Sequence, residues 1–203
     1  MTSILTSLNR TIIVGSLLTL LFVAYFISAN GSIDEYFWQF IFRYIHVLAG
    51  IMWIGLLYYF NFVQIPNMPK IPDEQKPAIG KVIAPAALFY FRWAAAITVL
   101  SGLILAWING YVHSAMILGL FYANGGFDFD TIFWSWLTRL IHVTVAIMWI
   151  GLLWYFNFVQ IPNMPKIPDD QKPAIGKVIA PAALFYFRWA ALLTVISGLI
   201  LAF

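Results

Sequence analysis

One long stretch of this chain is written twice. "IHVLAGIMWIGLLYYFNFVQIPNMPKIPDEQKPAIGKVIAPAALFYFRWAA" begins at Ile45, and nearly the same string begins again at Ile141. The offset is 96 residues, counted between the histidines of the two copies (142 − 46). The changes are few, Glu74 to Asp170 among them, and even the polar connection "IPNMPKIPDEQKPAIGKVIAP" is copied. Connections ordinarily diverge faster than the elements they join. The repeated unit is therefore a pair of elements together with its turn. Any fold must give two copies of that pair equivalent surroundings.

The elements are membrane helices. Of 203 residues 63% are hydrophobic and only 9% charged, where a soluble domain carries about 25% charged residues. Apolar runs cover Thr11 to Ala29, Tyr36 to Gln64, Pro85 to Tyr111, Thr131 to Gln160, and Pro181 to the end. Each can cross a hydrocarbon core of ~30 Å, which takes about 20 residues. The first follows a lone Arg10; it is longer than the ~7–15-residue core of a signal peptide and reads as a retained helix. Tyr111 to Gly126 is short and broken by glycine, and is expected to be interfacial or re-entrant. The expected fold is an all-α integral membrane protein of five transmembrane helices. Its parts are an N-terminal helix and outer loop (1–35), repeat 1 (36–111), an outer connecting segment (112–130) and repeat 2 (131–203). Helices two to five are expected to form a pseudo-two-fold four-helix bundle. The first helix, which has no counterpart in the repeat, is expected outside it.

Charge sets the expected orientation. Every lysine lies in the two copied connections: Lys70, Lys76 and Lys81, then Lys166, Lys172 and Lys177. The opposite side has Asp34, Glu35, Asp128 and Asp130. The positive-inside rule puts the lysines and the N-terminus in the cytoplasm and the C-terminus outside. Both copies then run the same way, as parallel repeats about an axis along the membrane normal. The lipid bilayer is the first expected partner, and nucleic acid is not one.

On a wheel with His46 at zero, Gln39, Arg43, Gly50, Trp53, Leu57, Asn61 and Gln64 all fall within about 60°. The second copy repeats the stripe with Ser135, Arg139, His142, Ala146, Trp149, Leu153, Asn157 and Gln160. Ionisable groups in a bilayer are costly and usually face a bundle interior. A two-fold axis would set His46 and His142 at equal depth on opposite walls. That arrangement suits the two axial positions of a haem b, which need imidazole and no thiolate. Gly50 and Ala146 would let a flat macrocycle approach the backbone, Trp53 and Trp149 lie beside it on the stripe, and Arg43 and Arg139 would meet its propionates. Interhelical hydrogen bonding, copper and a chlorophyll-type pigment stay open as other uses of the same histidines. The chain has no cysteine, which excludes disulfides, thiolate metal sites and covalent haem attachment.

Weaker signals complete the reading. Arg92 and Arg188 in "FYFRWA" read as snorkelling to lipid phosphate, with a quinone headgroup or an anionic substrate as the alternative. Tyr90 and Tyr186 read as interfacial aromatics, and Asp73 and Asp169 as caps of short helices. His113 has no repeat partner and is expected at the outer interface. Gly102, Ala106 and Gly110, echoed by Gly198 and Ala202, form small-residue stripes that allow close helix contact, within the bundle or in a homo-oligomer or larger complex.

The string "RYIHVLAGIMWIGLLYYFNFVQ" resembles the N-terminal membrane domain of bacterial cytochrome-linked urate oxidase, the urate oxidase N-terminal family, and the likeness runs from Phe37 to Phe203. Its Arg-x-x-His-Val followed by Trp-Ile-Gly is also similar to haem-binding membrane protoporphyrinogen oxidases and copper-resistance membrane proteins. The resemblance implies haem or metal ligation at His46 and His142, the bacterial inner membrane, and electron transfer toward the outer face. No Cys-x-x-Cys-His occurs in the chain, so the expected electron partner is a separate cytochrome c or a quinone. Three functions stand together: a haem b electron-transfer protein, an oxidase of urate or a similar small molecule working with that cytochrome, and an accessory or structural subunit of a larger membrane complex.

Overall fold

A computed structural model describes residues 8–30, 33–110 and 131–202. Among the described residues the protein is all-α, and five helices are long and apolar enough to cross a membrane. The chain divides into two compact units, Met1–Ile41 and Phe42–Phe203. The segment 111–130, which holds His113, Asp128 and Asp130, lies outside the described residues.

In the first unit, helix α1 spans Leu8–Asn30. The start of α2, which runs Glu35–Tyr58, also belongs to it. Asp34 Oδ1 accepts from the Phe37 N–H at 3.0 Å, as an N-cap should.

In the second unit each repeat is a hairpin. α2 continues through a π turn, Tyr59–Gln64, and further short turns to Lys70. After Ile71 and Pro72 the chain turns back through Asp73–Gln75 and a second π turn, Ala78–Ile83, into α3, Ala84–Ile108. The second copy matches it, with α4 at Thr131–Trp154, π turns at Tyr155–Gln160 and Ala174–Ile179, and α5 at Ala180–Ala202. The copied connections are therefore mostly short helical turns. Asp73 does not cap: Pro72 holds the cap position, and the carboxylate pairs with Lys76, as Asp169 does with Lys172. The Lys172 hydrogen bond holds the exposed Asp169 carboxyl below the usual range. Such exposed pairs contribute little to stability.

The four π turns among the described residues have one physical cause. Each ends two residues before a proline: Pro66, Pro85, Pro162 and Pro181. Proline supplies no N–H, and its ring crowds the carbonyl four residues back. Widening the preceding turn relieves the crowding without ending the helix. Asn61 Nδ2 and Asn157 Nδ2 donate to the carbonyls of Leu57 and Leu153, each at 2.8 Å, where the turn widens.

The two hairpins meet face to face where α2 crosses α4. A Cβ built on Gly55 would lie 2.3 Å from the Cα of Gly151, and the converse distance is 2.2 Å. One turn on, Tyr59 and Tyr155 stack with ring centroids 3.7 Å apart. Phe62 packs on Tyr186 at 5.5 Å and Tyr90 on Phe158 at 5.9 Å. Those two contacts are the same contact exchanged between the copies, the mark of a two-fold interface built inside one chain. Tyr90 and Tyr186 thus pack between the repeats. The buried cluster, from Leu56 through Tyr59, Val63 and Ile79 to Ala87 and their counterparts, lies wholly at the lysine end of the hairpins.

Candidate functional site

The two histidines are each held by their own hairpin. His46 Nδ1 lies 2.9 Å from the Thr98 carbonyl oxygen and 3.2 Å from Ser101 Oγ on α3. His142 Nδ1 lies 3.0 Å from Ser197 Oγ on α5. Ser101 Oγ also lies 2.6 Å from the Ile97 carbonyl oxygen, and Ser197 Oγ 2.6 Å from that of Leu193. At His46 the Thr98 carbonyl can only accept, so Nδ1 is the donor and in the neutral ring Nε2 carries the lone pair. At His142 the Ser197 hydroxyl can give or take, and the contact holds the ring in either tautomer. A hydrogen bond from one ring nitrogen, with the other left as donor atom, is the usual arrangement around a metal-binding histidine. The same bond also locks two helices together, which any interhelical histidine does.

The small residues beside the rings explain the close approach. A Cβ on Gly102 would meet His46 Cε1 at 3.0 Å and Nδ1 at 3.3 Å; on Gly198 it would meet His142 Cε1 at 3.2 Å. These glycines are occupied within the hairpins, and Gly110 ends α3 with φ +72°. Gly102→Val is expected to drive the imidazole off Ser101 and to cost about 1–3 kcal/mol, with Ser101→Ala costing about 1 kcal/mol. Thermal unfolding in detergent measures both; unchanged melting in the pair would mean that the hairpin does not depend on this histidine.

The other expected site residues are distributed around the stripe. Arg43 and Arg139 are exposed, while Trp53, Trp149 and Ala146 are half-buried. Trp149 meets Phe187 edge-on at 6.5 Å. A Cβ on Gly50 would sit 3.8 Å from Thr98 Cγ2, so this glycine faces α3. The stripe is not the face that meets the other repeat. Gly55 lies nine residues after His46, which is about 180° around an α-helix. One iron accepting both imidazoles needs both rings on the crossing face, and they start from the opposite one. Each ring singly has the donor chemistry of an axial ligand; a single bridge between them does not fit this packing. Gln64 and Gln160 also leave the stripe, because an extra residue in the π turn rotates the remainder of the helix by roughly 100°; their Oε1 atoms are buried without a partner.

The wheel alone does not single out Thr98, Ser101, Thr194 or Ser197. The repeated "SG" on the second helix of each copy is the signal that could have found the serines. No family model matches the chain, and neither does any curated protein or any solved structure.

Proposed function

We propose that this chain is a haem b-binding electron-transfer protein of the bacterial inner membrane, with one imidazole offered by each repeat. The supporting observation is that each histidine is held through Nδ1 by the second helix of its own repeat, with His46 Nδ1 donating to the Thr98 carbonyl, so that Nε2 is the ring atom turned to a ligand. Among the described residues no three metal-ligating side chains gather. A bare ion needs about three or four protein ligands, whereas a porphyrin brings four nitrogens of its own. This favours a macrocycle over copper. Haem would supply one-electron chemistry, tuned by its axial imidazole. His46 and His142 would hold it. Arg43 and Arg139, both exposed, are free to pair with its carboxylates, and Gly50, Ala146, Trp53 and Trp149 share the same helix faces. The electron partner would be a separate cytochrome c or a quinone, and the lysine ends would face the cytoplasm.

The test is the visible spectrum of protein purified with haem supplied. With one imidazole per repeat, His46→Ala and His142→Ala each lose about half of the bound haem, and the double variant loses all of it. Full loss in either single variant would point instead to one bridged haem. No Soret band in the parent would reject the reading and leave the accessory-subunit role, which the helix-locking hydrogen bonds favour. Urate turnover with an added acceptor separates a small-molecule oxidase from an electron carrier.

A further inference from the structure

The hairpins are longer than a membrane is thick. Ala84–Ile108 alone is 25 residues, about 38 Å at 1.5 Å per residue, and the π turn Ala78–Ile83 precedes it, against a hydrocarbon core of ~30 Å. Some of that length must stand outside the hydrocarbon, and the exposed residues show which part. Between Arg92 and Asn109, the exposed side chains of α3 are Trp93, Ala96, Ile97, Val99, Leu100, Leu103, Ile104 and Trp107, all apolar. That stretch is about 26 Å long, and tryptophans stand near both of its ends, where aromatic belts occur. On α5 the exposed side chains beyond Arg188 begin with Trp189 and are likewise apolar.

On the other side of Arg92 the surface changes character. The exposed residues there are mixed: Lys81, Gly80, Glu74 and Asp73, with Asn61 and Lys70 on the other arm of the hairpin, stand beside exposed Phe62, Ile65 and Phe89. Most of the buried core cluster, Val63, Ile71, Ala78, Ile79, Ile83 and Ala87 with their counterparts, also lies on this side, while Ala94, Leu105 and Ala106 are buried on the other. Between lipid-bathed helices there is no hydrophobic driving force, because lipid tails are as apolar as leucine. A tightly buried apolar core is what water produces. Lys81 stands about 16 Å beyond Arg92. If the lysines marked the phosphates, Arg92 would sit near the bilayer centre on a lipid-facing surface, further than its side chain can reach back. Arg92 and Arg188 belong to neither of the ion pairs Lys76–Asp73 and Lys172–Asp169.

We infer that Arg92 and Arg188 lie in the phosphate plane of one leaflet and bind phospholipid phosphate, and that the lysine-bearing ends of both hairpins project beyond it as a packed, water-exposed head. The two guanidiniums are related by the pseudo-two-fold axis and each has an exposed phenylalanine and tryptophan beside it, Phe89 with Trp93 and Phe185 with Trp189.

The chain has no cysteine, so Pro85→Cys and Ala96→Cys each carry one spin label in vesicles of phosphatidylethanolamine with phosphatidylglycerol as the minor lipid. The label at 85 is expected to collide with a water-soluble nickel chelate and the label at 96 with oxygen. Oxygen dominance at 85 overturns the placement. In detergent, added phosphatidylglycerol is expected to raise the melting temperature of the parent and of K81Q/K177Q, and not of R92Q/R188Q. An equal rise in the arginine variant, or an equal rise when inorganic phosphate replaces the lipid, overturns the phospholipid site. Should the arginine variant fail to fold, the two spin-label positions still decide the placement.

Discussion

Gly55→Ala is expected to be among the most damaging single-methyl additions in the protein, with Gly151→Ala its equal. The added carbon would lie 2.3 Å from the Gly151 Cα, and its neighbour is backbone, which has no rotamer to move out of the way. The crossing of α2 and α4 must widen, and the Tyr59–Tyr155 stack one turn away widens with it. Overpacking typically costs 1–3 kcal/mol and sometimes more; here about 3 kcal/mol or above is expected, since two helices rather than one side chain have to shift. Denaturation in detergent, followed by circular dichroism, measures it. Parent-like stability in both variants would show that the repeats do not cross at these glycines.

The tyrosine pair gives the second large effect, and it separates ring from hydroxyl. Both rings are fully buried and stacked, so Tyr59→Ala should cost about 3–5 kcal/mol, as for other large aromatic truncations. Each hydroxyl is buried with no hydrogen-bond partner. A buried polar atom with no partner is itself destabilising by about 1–3 kcal/mol. Tyr59→Phe should therefore be neutral or stabilising by about 1 kcal/mol. The same unfolding measurement compares the two. A phenylalanine variant as unstable as the alanine variant would mean that the hydroxyl is satisfied in solution, by water or by Gln64, whose Oε1 is also buried and unpartnered.

Much of the architecture is legible in the residues alone. The copied hairpin, the apolar runs and the grouped lysines lead to an all-α membrane chain with equivalent helix pairs, and the helices begin and end close to the expected residues. The histidines are legible as the ionisable groups of a repeated stripe. Their partners are not. Ser101 and Gly102 look like lipid-tolerant small residues on another helix, and only the packing of α2 on α3 shows that they form the seat of the ring. The π turns are written in the sequence as four prolines inside apolar runs, but a wheel drawn at a constant 100° passes over them.

The residues alone thus carry the repeat, the helical membrane class and the relative angle of residues along each uninterrupted helix. Which face of α2 meets the other copy, and so that Gly55 and Tyr59 rather than His46 lie at the crossing, follows from how the hairpins pack. Solvent accounts for the difference. In water, polarity tells inside from outside. In a bilayer the lipid-facing and helix-facing surfaces are both apolar, so a polar stripe marks a constrained face without saying which neighbour constrains it. Steric fit between backbones, glycine on glycine and ring on ring, makes that choice, and fit is a property of two surfaces together.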